Sequence, residues 1–260
     1  MIFSILALGD VVGQSALSRV TKEISAIRRE YNIDFAVVNG ENAAPNNGID
    51  KKSAEELLSA EIDVVTTGNH VFRHRSIRDV LDERNDILRP ANFPASVPGS
   101  GYTVVNCGGV RVLVMNVLGV IYLEPLADPF RTVEQILIRE AGHYDVSILD
   151  IHGEATSEKI ALSHYFEGRI SAVFGTHTHV QTADETILPG GTGYITDLGM
   201  CGPVHSVLGV KTECIIEKLT THLPVKFEVS ENEIELRGAV FRIDTDTGRC
   251  VEVFRIKETL

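Results

Sequence analysis

The sequence predicts an α/β protein with two sheets packed together at its centre and helices on the outside. Three observations carry that expectation. Short apolar runs alternate with helix-period segments through the first half, the pattern of βαβ units. The middle and the C-terminal part are richer in β-type runs. No Pro/Ser-rich linker, low-complexity tract or long repeat divides the 260 residues, a length that a single α/β domain commonly has, so one domain spanning 1–260 is expected.

The elements follow in order. Ile2–Leu8 is a run of the buried-strand type, and Leu17, Val20, Ile24, Ile27 and Tyr31 then recur at three- and four-residue steps, one stripe of an amphipathic helix. Phe35–Val38 reads as a strand, Ser53–Ala60 as a helix, Ile62–Thr66 as a strand, and the segment carrying Ile77, Val80 and Leu81 as a helix. Tyr102–Cys107 and Val110–Val117 are joined by Gly108-Gly109, a two-residue hairpin signal. A helix near Thr132–Ala141, a strand Val146–Ile151, a helix near Ser157–Phe166 and a strand Ile170–Phe174 follow, and the sheet is expected to be mainly parallel. Gly190–Gly193 and Gly199–Pro203 read as loops. A helix around Thr212–Thr221 precedes three β-type runs, with Asp244–Gly248 as the last turn.

Composition narrows the partners. Lysine and arginine number 24 against 36 aspartates and glutamates, a net charge of −12, with a pI near 5.2. Such a surface argues against long nucleic acid and anionic membrane, both of which need basic patches. The four cysteines show no CxxC or paired spacing and read as reduced thiols of a cytoplasmic protein. The N-terminal run has no basic flank and is broken by Asp10, so it reads as a strand and not as a signal peptide. The longest apolar run, Val110 to Leu123, contains Asn116 and falls short of the ~20 residues of a membrane span. The C-terminal strand pairs offer an edge through which copies of the chain can form a homo-oligomer.

Chemistry concentrates where strands end. LALGD closes on Asp10, AVVNGEN on Glu41-Asn42 and VVTTGNH on Asn69-His70; SILDIHGE and AVFGTHTH add His152, His177 and His179. The carboxyl ends of parallel strands share one edge, where ligand sites of α/β folds form. Five such ends are expected to bring these eight residues into one cleft. Carboxylates, amides and imidazoles without thiolate make a mixed N/O donor set suited to iron, manganese or zinc. Eight groups are too many for one four-coordinate ion and about right for two ions sharing a carboxylate, a clamp for displacement at phosphorus. Taken singly the residues have blander readings. Asp10 suits a helix N-cap, Asn42 and Asn69 suit turns, His152 a hydrogen-bonded structural role, and His177 and His179 an ordinary loop. His74, His143, His164, His205 and His222 fall outside the strand-end pattern.

On these residues the sequence resembles the calcineurin-like metallophosphoesterases, and within them the YmdB-type branch. The superfamily pattern runs D-x-H, G-D-x-x-D, G-N-H-E/D, a single His, and G-H-x-H. This chain keeps G-N-H at Gly68–His70 and the single His at His152, but lacks the histidine of D-x-H after Asp10 and reads Gly40-Glu41-Asn42 where G-D-x-x-D is expected. Both departures match the YmdB branch, whose further motifs appear at Gly9–Gly13, Ile151–Lys159 and Gly175–Val180, with Asp128–Thr132 and Thr192–Gly202 extending the likeness nearly end to end.

The resemblance implies a four-layer αββα fold. It implies one metal held by Asp10, Glu41, Asn42 and His179, and a second held by Glu41, Asn69, His152 and His177. The ions would be two divalent or trivalent cations, Fe or Mn foremost and Zn also acceptable. His70 is implied to be no ligand but the proton donor to the leaving oxygen, a role suited to an imidazole at neutral pH. What orients His70 is open, because the aspartate that does so elsewhere has no match. The implied activity is hydrolysis of cyclic nucleotides, 2′,3′-cyclic esters first and 3′,5′-cyclic AMP second, by attack of a metal-bridging hydroxide. A phosphomonoesterase or RNA-end nuclease on the same site, and a nucleotide-sensing regulatory protein, are the alternatives.

Overall fold

The computed structural model describes residues 1–259. The chain opens with β1 (Ile2–Leu8), β2 (Asp10–Val11), α1 (Gly13–Tyr31), β3 (Phe35–Asn39), α2 (Lys51–Ser59), β4 (Val64–Thr66) and α3 (Ile77–Glu83). It continues through β5 (Tyr102–Cys107), β6 (Val110–Leu118), α4 (Pro129–Arg139), β7 (Val146–His152), α5 (Thr156–Tyr165) and β8 (Ala172–Thr176). The last part holds β9 (Thr186–Ile187), β10 (Gly193–Ile195), β11 (Met200–Pro203), α6 (Thr212–Thr221), β12 (Ile234–Asp244) and β13 (Arg249–Thr259).

Two sheets result. The first has the order β2-β11-β12-β1-β3-β4, with β13 also on β12; the second has the order β5-β6-β7-β8-β10-β9. Parallel pairing is confined to β1-β3-β4, β2-β11 and β6-β7-β8-β10, and the remaining ladders are antiparallel.

Residue alternation explains the layering. In β1, Ile5 and Ala7 point between the sheets and meet Val112, Val114, Ile148 and Phe174 of the second sheet. Leu6 and Leu8 point the other way, onto Leu17, Val20, Ile24 and Ile27 of α1. The outer face of the second sheet, through Leu113, Leu149 and Val173, packs on Val133 and Leu137 of α4 and Leu162 of α5. A strand buried on both faces is mostly apolar, which is why β1 is apolar at every position except Ser4. Three apolar interfaces separate four layers, αββα. Each fully buried aliphatic side chain in them stabilises the fold by roughly 1.5–3 kcal/mol.

Local signals act as their chemistry requires. Gly108 and Gly109 both have positive φ, 60° and 92°, the conformation a two-residue hairpin turn demands. Asp128 caps α4, its Oδ1 accepting from Phe130 N at 2.8 Å, with Pro129 in the first turn.

The structure corrects four expectations. The first sheet is mixed and not mainly parallel, because the long strand β12 pairs antiparallel with both β1 and β13. Gly193 begins β10 and is no part of a loop. Met200–Pro203 is a strand, because Met200 and Cys201 pair with Asp10 and Val11 while Gly202 and Pro203 pair with β12. Its Pro203 sits at the strand end, where a missing N–H is tolerated. The three β-type runs expected after Thr221 are two long strands; the exposed segment before them makes only an isolated bridge, Val210 to Val229. Among the described residues, no helix is long and apolar enough to cross a membrane.

Candidate metal centre

The registers explain why distant residues meet. Leu8 pairs with Val38, Asn39 with Thr66, Leu118 with His152, and His152 with Thr176, so the parallel strands of both sheets end at one edge. Beyond those ends stand Asp10, Glu41, Asn42, Asn69, His70, His152, His177 and His179. The structure brings all eight together.

His152 lies at the centre, fully buried. Its Nε2 is 3.0 Å from Glu41 Oε2, 3.2 Å from Asn69 Oδ1 and 3.1 Å from His177 Nδ1. One ring nitrogen carries at most one proton and cannot satisfy three such neighbours, whereas a cation among the four atoms would. Glu41, His152 and His177 offer ligand atoms within 4.8 Å of one another. A second group adjoins it. Asn42 Nδ2 lies 3.3 Å from His179 Nε2, and Asp10 Oδ1 3.9 Å from the same nitrogen. Asp10 caps no helix: it is buried in β2, its Oδ2 accepting from His177 N at 3.0 Å, while Val12 holds the cap position of α1 without a side-chain bond.

Two further features suit a metal. Asp10 Oδ1 and Glu41 Oε1 are buried without a hydrogen-bond partner, a costly state for a carboxylate oxygen. Within 4 Å both carboxylates meet imidazoles, and among the described residues no lysine or arginine. Each histidine also has its other nitrogen engaged. His152 Nδ1 bonds Thr176 Oγ1 at 2.9 Å, His179 Nδ1 the Leu208 carbonyl at 3.1 Å, and His177 Nε2 the Glu154 carboxylate at 3.0 Å. Such outer bonds fix the tautomer and aim the free nitrogen, as they do behind metal-bound histidines. The residues present therefore fit a mixed N/O metal centre.

The charges shift accordingly. Burial alone would push the Glu41 carboxyl up, but the His152 and His70 imidazoles beside it hold it well below the usual range. Burial alone would lower His152, yet Glu41, Asp10 and Asp150 raise it to about 9. His177 is lowered, by burial and by the neighbouring His152.

His70 is the exception among the histidines. It is 29 % exposed, and Nδ1 stands 3.2 Å from Asn42 Oδ1 and 2.7 Å from Glu41 Oε1, the latter out of hydrogen-bonding alignment. Its Nε2 has no partner among the described residues and the side chain lines a cavity of about 270 Å³ with Glu41, Asn42, His177 and His179. Gly68, two residues earlier, passes so close to Glu41 and His152 that a Cβ there would overlap both. The strand-end glycine is needed for this approach.

Several supporting residues escaped the sequence reading. Asp150 lies buried between the sheets, accepting from Asn39 Nδ2 at 3.0 Å and Thr176 Oγ1 at 2.8 Å, and burial pushes its carboxyl up to about 6. Asn39 Oδ1 in turn accepts from Glu41 N at 3.0 Å, so one amide ties Glu41 to the second sheet. Lys159 Nζ donates to Asp197 Oδ2 at 2.7 Å and to the Thr176 carbonyl at 2.9 Å. Asp197 also accepts from Thr178 N and Oγ1, clamping the loop on which His177 and His179 hold φ of 100° and 64°. A carboxylate inside an apolar strand and a lysine in a buried helix turn were the available signals. His74, His143 and His164 make surface contacts with Asn47, Glu140 and Glu167.

Comparison with known proteins gives concordant results. The model of a family described as YmdB-like protein matches residues 6–256. A Bacillus subtilis (strain 168) protein, a 2′,3′-cyclic-nucleotide 2′-phosphodiesterase, is 43 % identical over 252 residues, covering 97 % of this chain and 96 % of its own. The crystal structure of a hypothetical protein from Thermus thermophilus superposes with a TM-score of 0.91 at 37 % identity, covering 99 % of both chains. That of a Mycoplasma pneumoniae protein described as a novel phosphatase gives 0.93 at 31 % identity, over 100 % of this chain and 94 % of its own.

Proposed function

The chain belongs to the YmdB-like protein family, and from that premise we propose that it is a metal-dependent phosphodiesterase opening 2′,3′-cyclic nucleotides to nucleoside 3′-phosphates. The whole chain works as one domain, in the cytoplasm; its four cysteines are unpaired. The observation that carries the reaction class is the position of Glu41, one oxygen facing His152 and the other facing His70. The end-to-end likeness to the Bacillus subtilis enzyme supports the substrate.

Asp10, Glu41, Asn42 and His179 would hold one ion, and Glu41, Asn69, His152 and His177 the other. This set of neutral nitrogen, amide and carboxylate donors favours Fe or Mn, with Zn acceptable. Bound there, such ions supply Lewis acidity toward phosphoryl oxygens and a nucleophile at neutral pH. The chain's own residues do the rest. Asn42 Oδ1 accepts from His70 Nδ1, and its two lone pairs suffice for His70 and a cation together. That bond fixes the ring and leaves Nε2 to protonate the departing ribose 2′ oxygen. Asn42 thus takes over the orienting task for which the sequence offers no aspartate. Val12, Leu208 and Val210 form the apolar wall of the cavity and limit water around the ester.

The test is turnover of 2′,3′-cyclic AMP by metal-depleted protein after adding back Mn²⁺ or Fe²⁺, with products separated. Metal-dependent release of the 3′-phosphate supports the reading; the 2′-phosphate, or no turnover at full metal loading, overturns it. A parallel assay with 3′,5′-cyclic AMP tests whether the site extends to that ester.

A further inference from the structure

The cavity at the metal centre is too small to hold a whole nucleotide comfortably: about 270 Å³, below the roughly 300–1,000 Å³ of typical ligand pockets. It does not end at its own rim. A second groove of about 470 Å³ adjoins it, and Asn47, Val210 and Val229 line both. Val210 and Val229 are joined by a backbone bridge and form the sill between the two spaces. The groove runs from the start of α1 to the segment before β12 and contains Phe227, a ring 51 % exposed to solvent. About half of that ring is left in water beside the cavity, a face open to a ligand. No other aromatic ring of the described residues stacks on it.

Resting on the function proposed above, we propose that this groove is the nucleobase subsite, with Phe227 as the stacking platform and Asn46 beside it in the lining. The charges in the groove define what it accepts. Arg73 and Lys226 share the lining with Glu231 and with Glu228, which is paired with Lys211 at 2.7 Å, so the lining is mixed in charge. A neutral base is suited to a lining of mixed charge beside an exposed ring. The substrate is then bound through its phosphate at the metal centre and through its base at Phe227.

The experiment compares two esters with the same reacting group in the metal-loaded enzyme: 2′,3′-cyclic AMP and ribose 2,3-cyclic phosphate, which lacks the base. Phe227→Ala is expected to lower the ratio of their kcat/KM values about ten-fold, through KM, equivalent to about 1.4 kcal/mol and within the range of base–aromatic stacking. Phe227→Trp is expected to keep the wild-type ratio. A wild-type ratio near one, or a ratio that Phe227→Ala leaves unchanged, overturns the subsite alone. Failure of the wild-type enzyme on both esters overturns the function proposed above and the subsite with it.

Discussion

Lys159 and Asp197 form an ion pair of 2.7 Å in which each side chain is 1 % exposed, and the same aspartate accepts from Thr178 between the two loop histidines. Breaking a buried pair from one side leaves the other charge uncompensated, at a cost of about 3–5 kcal/mol. Lys159→Met is expected to lose stability by that amount in urea unfolding and to bind less metal. The double variant Lys159→Met, Asp197→Asn should be less destabilised than Lys159→Met. Equal losses in the two would contradict the pairing.

His70 Nδ1 faces Asn42 Oδ1 and Glu41 Oε1 and not His152 Nε2, and among the described residues its Nε2 has no partner. His70→Ala is expected to keep both metals and to lose about 10²–10⁴-fold in kcat, the range for general acid catalysis. Elemental analysis beside steady-state kinetics reads both. A variant that has lost its metal would reassign His70 as a ligand.

In the function proposed above, Glu41 bridges the two ions. Glu41→Gln preserves shape and removes the charge, so metal content should fall while the fold persists. Elemental analysis with circular dichroism checks this; normal metal loading in that variant would remove Glu41 from the bridging position.

Far from the site, Arg111 clasps Asp145. Side-chain bonds of 2.7 and 3.1 Å, with a backbone bond of 2.9 Å, hold the carboxyl below its ordinary 3.8, at about 2. A depressed folded-state value stabilises above the unfolded-state value and is lost as pH falls through the folded one. Asp145→Asn should therefore be less stable than wild type at pH 7, with the gap closing between about pH 4 and pH 2. Urea midpoints measured across that window decide it; a gap independent of pH would mean that Asp145 acts by shape and not by charge.

Much of this architecture was legible because its causes are local. Ile2–Leu8 and the stripe Leu17–Ile27 carry the periodicities of a doubly buried strand and a one-faced helix, and they form those elements. Met200–Pro203 carries the composition of a turn and is a strand, since β2 and β12 on either side supply its ladders. The site divides in the same way. Residues just past strand ends could be placed on one edge from order alone. Asp150 and Asn39, 111 positions apart, matter only through each other, and no spacing along the chain announces that. The orientation of His70 was hidden for the same reason, because Asn42 meets it across two strand ends.

His177 and His179 occupy backbone conformations that glycine would adopt freely and that bulkier residues resist at about 1–3 kcal/mol each. The loop therefore carries, in its resting geometry, a standing preference for a residue with no side chain to offer. Glycine at either position would relax the peptide and remove an imidazole from the donor set, so backbone ease and ligating capacity pull this short segment in opposite directions.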